Sequence, residues 1–173
     1  MTSPRQERYR RRPGIALFAL LAGFFAALSL DFAASASTTE RVVVNRYSGL
    51  AIGGFDPVAY FTEGRSMKGS EEFSYDWLGT PWYFASRKHR DLFMSEPVKY
   101  APQFGGYCAG EVAFDGITVN IDPDAWRIIE GKLYLSYNKP TAAEWEAYED
   151  DYLPKAEANW PKLEAKLNEG KYY

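Results

Sequence analysis

"EFSYDWLGTPWYFASRKHRDLFMSEP" spans residues 72–97, and its reading decides the fold class. Phe73, Tyr75 and Trp77 alternate with Ser74 and Asp76, the period-two pattern of a strand with one buried face. Leu78 to Pro81 supply a turn, and Trp82, Tyr83 and Phe84 return as a second strand. Ser86 then stands where a helix N-cap belongs, ahead of an amphipathic run from Arg87 to about Ser95 that carries Leu92 and Phe93. Pro97 stops that run. A hairpin followed directly by a helix, with no alternating strand–helix–strand pattern, predicts an α+β fold: a small antiparallel sheet of hairpins with short helices packed on it.

Two further hairpins are expected downstream. "EVAFDGITVNID" places Asp115-Gly116 between apolar runs, and "AWRIIEGKLYLSYN" does the same with Glu130-Gly131. Thr141 and Glu144 form a T-x-x-E capping box opening a helix with Trp145 and Tyr148 on one face. Pro154 and Pro161 divide the tail into short helical pieces. Upstream, Asp56-Pro57 reads as a turn or helix entry, and residues 62–70 as a surface loop. No repeat and no low-complexity tract is visible in the residues.

The N-terminus has the pattern of a secretory signal peptide over residues 1–36. Five arginines precede the uncharged run Gly14–Leu30, and Ala34 and Ala36 fit a small-x-small cleavage site. An uncleaved anchor is the alternative, and the only route to a membrane; Arg11-Arg12 also raises twin-arginine export. Residues 37–48 are then a leader, 49–161 the domain and 162–173 a C-terminal tail. The expected location is the periplasm or the extracellular medium. Of 20 basic and 23 acidic side chains, the first 36 residues hold five Arg, Glu7 and Asp31, which leaves 15 and 21 and a net charge of −6. That balance does not attract nucleic acid or an anionic membrane surface.

The chain has one cysteine, Cys108, and one histidine, His89. An internal disulfide is therefore impossible, and Cys and His alone cannot furnish a four-ligand structural zinc site. A metal site built from Cys108, His89 and a carboxylate such as Asp56 or Glu111 remains arithmetically open, and thiolate with imidazole suits copper or zinc. Three basic neighbours of His89, Arg87, Lys88 and Arg90, disfavour a cation there. Cys108 in "GGYC" could alternatively serve as a thiol nucleophile with His89 as base, or lie buried and inert. No G-x-S-x-G, H-E-x-x-H, P-loop or G-x-G-x-x-G is present, and no catalytic residue is assigned. Asp122 and Asp124 around Pro123 read as a turn, and Glu149-Asp150-Asp151 as a solvated helix face. Tyr60, Tyr75, Trp77, Trp82, Tyr107, Trp126 and Tyr134 read as core, with Tyr60 and Tyr107 also able to line a ligand pocket.

"GGFDPVAYFTEG", "WYFASRKHRDLFMSEPVKYAPQFGGYCAG", "IDPDAWRIIEGKLYLSYN" and "ANWP" together resemble the exported bacterial YHS-domain proteins, from about Gly49 to Pro161. The resemblance implies the fold and the export. The family's metal-associated pattern places cysteines where this chain has Ala59, Ala85 and His89, so two of its three ligand positions carry no donor. The functional expectation is an exported binding module taking a metal ion, copper by preference, or a small ligand near Cys108 with His89, and with Asp56, Tyr60, Tyr107 and Glu111 as candidate ligand contacts. A thiol-dependent enzyme and an interaction protein without a small ligand are the alternatives.

Overall fold

The computed structural model describes residues 44–147 and 149–170; the signal-peptide reading, most of the leader and Tyr148 lie outside the described residues. The chain order is α1 (Ala59–Thr62), β1 (Ser70–Trp77), β2 (Thr80–Phe84), α2 (Arg87–Ser95), α3 (Pro97–Tyr100), α4 (Ala109–Phe114), β3 (Asp122–Ile129), β4 (Lys132–Ser136), α5 (Lys139–Ala147) and α6 (Glu149–Asn168). Short 3₁₀ turns precede α1 at Ala51–Gly54 and α4 at Phe104–Gly106. The architecture is α+β, with two separate antiparallel hairpins, β1–β2 and β3–β4.

Both hairpins turn on two residues with positive φ, Leu78-Gly79 (54° and 68°) and Glu130-Gly131 (49° and 75°). Two left-handed residues match the right-handed twist of the flanking strands, and glycine takes one of them without a Cβ penalty. The hairpins also share a register. Trp77 pairs with Thr80 and Ser74 with Tyr83, then an irregularity brings Ser70 opposite Phe84. Ile129 pairs with Lys132 and Trp126 with Leu135, and the same irregularity brings Asp122 opposite Ser136.

β4 is the partition of the fold. Alternate side chains of a strand point to opposite faces. Leu133 and Leu135 accordingly join a core with Ile52, Val58, Tyr60, Trp82, Phe84 and Phe93, while Tyr134 joins a second core with Val112, Trp145, Tyr152, Ala156 and Leu163. In the first core, Phe93 of α2 meets the rings of Tyr75, Trp77, Trp82 and Phe84 at centroid distances of 5.0–6.5 Å.

Several sequence expectations are corrected. Asp115-Gly116 is not a hairpin turn: residues 109–114 are helical, and Gly116, at φ 61°, follows the end of α4. Ile117 N–H returns to the Glu111 carbonyl at 3.4 Å, so the Asp-Gly pair closes a helix rather than joining strands. Burial of Val112 and Ala113 in the second core overrides the strand-like apolar pattern. Thr141 does not cap the next helix. Asn138 Oδ1 accepts from Thr141 N–H at 2.8 Å, and α5 begins at Lys139. Pro97, expected only to stop α2, also opens α3 in its first turn.

Pro154 and Pro161 do not divide the tail either, because α6 runs through both. Both prolines sit on the exposed side, where water can take the carbonyls left without an N–H partner. Tyr152, Ala156, Leu163 and Leu167 form its buried stripe, so residues 162–168 belong to the packed fold rather than to a tail. The end of the leader is integrated too. Val44 and Asn45 are buried, and Asn45 donates from its backbone to Gly105 O and from Nδ2 to Gly106 O. Among the described residues, no helix is long and apolar enough to cross a membrane.

Candidate functional site

Asp56 is fully buried, and every polar contact it makes has a structural reason. Oδ1 accepts from Val58 N–H at 2.9 Å and from Ala59 N–H at 3.3 Å, which caps the first turn of α1 across Pro57. Oδ2 accepts from Ala85 N–H at 2.8 Å, at the corner where β2 ends. The same oxygen lies 2.6 Å from His89 Nδ1. One carboxylate thus ties α1, the end of β2 and α2 together, and a buried carboxylate requires such a full set of partners.

His89 is held from both sides. Ser86 Oγ accepts from its backbone N–H at 3.2 Å, fixing the first turn of α2. Its ring is buried, with Nε2 3.2 Å from Thr62 Oγ1 and 3.6 Å from Glu63 Oε1. Thr62 Oγ1 also donates to Val58 O at 3.2 Å. A hydroxyl has one proton, so Thr62 gives it either to Val58 O or to Nε2, and in a neutral ring whose Nδ1–H is donated to Asp56, Nε2 is the nitrogen with the free lone pair. Asp56 on one ring nitrogen, with the other turned toward a carboxylate and a hydroxyl, is the arrangement that holds metal-ligating histidines in register.

Cys108 sits elsewhere in the fold, at the entry to α4. It is fully buried, and Sγ accepts from Tyr137 N–H at 3.3 Å. Burial pushes its thiol above the ordinary range, against the opposing pull of the Glu111, Tyr137 and Gly110 backbone N–H groups. A reactive cysteine needs exposure and a lowered pKa, and Cys108 has neither. Cys108 and His89 share no polar partner: the thiol contacts amides of α4 and Tyr137, the imidazole contacts Asp56, Thr62 and Glu63. Among the described residues, no hydrogen bond or ion pair joins the two residues singled out by their scarcity.

The remaining candidates divide in the same way. Tyr60 is buried beside the dyad, donates from its hydroxyl to Pro123 O at 3.0 Å and packs edge-on against Trp126. Burial, reinforced by the charges of Asp124, Asp56 and Asp122, holds its phenol above the usual range. Tyr107 packs near Trp160, which lies partly buried against the second core. Glu111, in the first turn of α4, has its carboxyl raised by burial and by neighbouring Asp115. Asp56, Tyr60 and His89 are thus on one side of this division, and Cys108, Tyr107 and Glu111 on the other.

Thr62 and Glu63 were missed by the sequence reading, which placed them in a surface loop. They close the last turn of α1, and only the Asp56–His89 contact, 33 positions apart, shows what they face. Among the described residues no group of three or more His, Cys, Asp or Glu could hold a metal ion. Of positions 59, 85 and 89, only His89 carries a side-chain donor: Ala59 and Ala85 have none, and their backbone N–H groups are both donated to Asp56. Comparison of the chain with family models, with curated proteins and with solved structures returns no significant match.

Proposed function

We propose that the chain is an exported YHS-type binding module whose donor site is His89 Nε2 with Glu63, and that copper is its preferred cation. The 2.6 Å contact between Asp56 Oδ2 and His89 Nδ1 carries this reading, because it fixes the ring with Nε2 toward Glu63 and Thr62. A separation of 3.6 Å between Nε2 and Oε1 suits two donors on one ion, given metal–ligand distances of about 2.0–2.2 Å. Imidazole with carboxylate is compatible with a borderline divalent cation. The emphasis on Cys108 gives way to His89, since the thiol is fully buried in a different part of the fold.

Calorimetric titration of Cu²⁺ into the wild type and into His89→Asn, Glu63→Gln and Cys108→Ala tests the proposal. Asn keeps a donor near the Nδ1 position and removes Nε2. Binding of one equivalent is expected in the wild type and in Cys108→Ala, weakened binding in Glu63→Gln and none in His89→Asn. Loss in Cys108→Ala with an intact isotherm in His89→Asn overturns it.

A second reading, an interaction module without a small ligand, is favoured by one surface feature. Met94 on α2 and Val98 on α3 stand 47% and 78% exposed four positions apart in sequence. An unchanged heat of dilution across the copper series, with a protein partner lost on Val98→Asp, supports this second reading over the first.

A further inference from the structure

The turns, hairpins and helices of residues 52–95 recur at a spacing of 52 positions. The two hairpin registers coincide when 52 is added to each number, Ser70↔Phe84 becoming Asp122↔Ser136 and Trp77↔Thr80 becoming Ile129↔Lys132. The helices Arg87–Ser95 and Lys139–Ala147 obey the same shift, as do their caps, Ser86 to His89 N–H and Asn138 to Thr141 N–H. Phe93 tilts over Trp82 at 31° and Trp145 over Tyr134 at 30°. The tight turns match residue for residue, Ile52-Gly53-Gly54 at φ 43°, 64° and 75°, and Phe104-Gly105-Gly106 at 52°, 62° and 78°.

The shift sends Asp56 to Cys108. Asp56 N–H donates to Met67 O at 2.9 Å, and Cys108 N–H to Val119 O at 3.0 Å. The Asp56 carboxylate gathers the N–H groups of Val58, Ala59 and Ala85; the Cys108 sulfur faces those of Gly110, Glu111 and Tyr137, each 52 positions on. His89 goes to Thr141, and Glu63, at the end of α1, goes to Asp115, at the end of α4. We infer that residues from about 50 to 153 are two copies of one 52-residue unit, with the rest of α6 added to the second, and that Cys108 and Thr141 mark a latent second counterpart of the Asp56–His89 site, with its amide cradle kept and its histidine replaced.

This has a chemical consequence that does not require the first site to bind copper. A three-amide cradle suited to a carboxylate should accept aspartate at Cys108, and an imidazole placed at 141 should then meet it. The test is a cycle of Cys108→Asp, Thr141→His and the double variant in the full chain. The expected result is coupling: Thr141→His raises the melting temperature of Cys108→Asp by at least about 2 °C, and lowers that of the wild type. The reverse exchange, Asp56→Cys with His89→Thr, is the second measurement. There, His89→Thr is expected to recover part of the melting temperature lost by Asp56→Cys. Additive or mutually worsening effects in both cycles overturn the inference, and so does failure of both double variants to fold. One arm rests on the proposed copper reading. If the wild type binds one equivalent of Cu²⁺, the Cys108→Asp/Thr141→His variant is expected to bind two. A wild type that binds none removes the copper reading alone and leaves the thermal cycles to decide the duplication.

Discussion

The two halves of the fold present one backbone cradle with opposite contents. In the first, three amides and an imidazole surround a fully buried carboxylate. In the second, the matching amides surround a thiol, and the histidine position is Thr141. A carboxylate can be buried only with its partners in place, whereas a thiol is a small apolar group that tolerates weak ones. The first half is therefore organised around a polar hub and the second around packing, where α6 lays Tyr152, Ala156 and Leu163 against α4 and α5.

That contrast predicts unequal costs for the same kind of truncation. Asp56→Ala leaves three amides and the His89 ring without their acceptor in a site that water does not reach. The expected loss, read by urea unfolding, is about 3–5 kcal/mol. Cys108→Ala removes one weak acceptor and a small volume, and should cost about 1–2 kcal/mol. Equal losses would break the distinction between hub and filler. Phe93→Ala sharpens it from the apolar side, since that ring meets four others and should cost about 3–5 kcal/mol by the same measurement.

The caps should behave alike where the anchors do not. Ser86 and Asn138 each accept from the backbone N–H three residues on, at 3.2 and 2.8 Å. Ser86→Ala and Asn138→Ala are each expected to lower stability by about 1 kcal/mol. A difference of more than about twofold would show that the shared geometry hides unequal energetics.

The elements that could be read from the residues are those whose local chemistry and tertiary role agree. Period-two aromatics around Leu78-Gly79 and the apolar runs around Glu130-Gly131 both give hairpins, and Ser86 is the cap it resembles. Asp115-Gly116 misled because the same dipeptide serves a hairpin turn and a helix end, since both need positive φ. Pro154 and Pro161 misled because a helix tolerates proline where its solvent face supplies water and its other face is held by packing. The duplication left almost nothing in the residues: Gly53, Gly54, Gly64 and Gly79 recur as Gly105, Gly106, Gly116 and Gly131, all at positive φ where side chains are strained. Elsewhere the copies preserve shape and burial rather than identity, with Phe93 facing Trp145 in the alignment and Trp82 facing Tyr134. Asp56 and His89 were visible as candidates, but their contact was not, because it joins a helix entry to a second helix across a strand pair. Cys108 drew attention by scarcity, a property of composition rather than of environment.

A pH series separates the two anchors. Burial raises the folded-state pKa of the Cys108 thiol above that of the unfolded chain, about 8.5. A group shifted upward contributes its stability in full below the unfolded value, and loses it as pH rises through the folded one, because the unfolded chain gives up its proton first. Stability should therefore decline above about pH 8.5, with a limiting slope of about 1.4 kcal/mol per pH unit for one group. The Tyr60 phenol is raised by its own burial and works in the same direction, but only above about pH 10, where the unfolded phenol ionises. Between these values the decline belongs to the thiol. Urea unfolding of the wild type and of Cys108→Ser from pH 7 to 10 should show the slope in the first and not in the second. The same slope in both would mean that burial does not hold the proton on Cys108, and a wild type that gains stability over this range relative to Cys108→Ser would mean that the second cradle stabilises a thiolate, much as the first holds the Asp56 carboxylate.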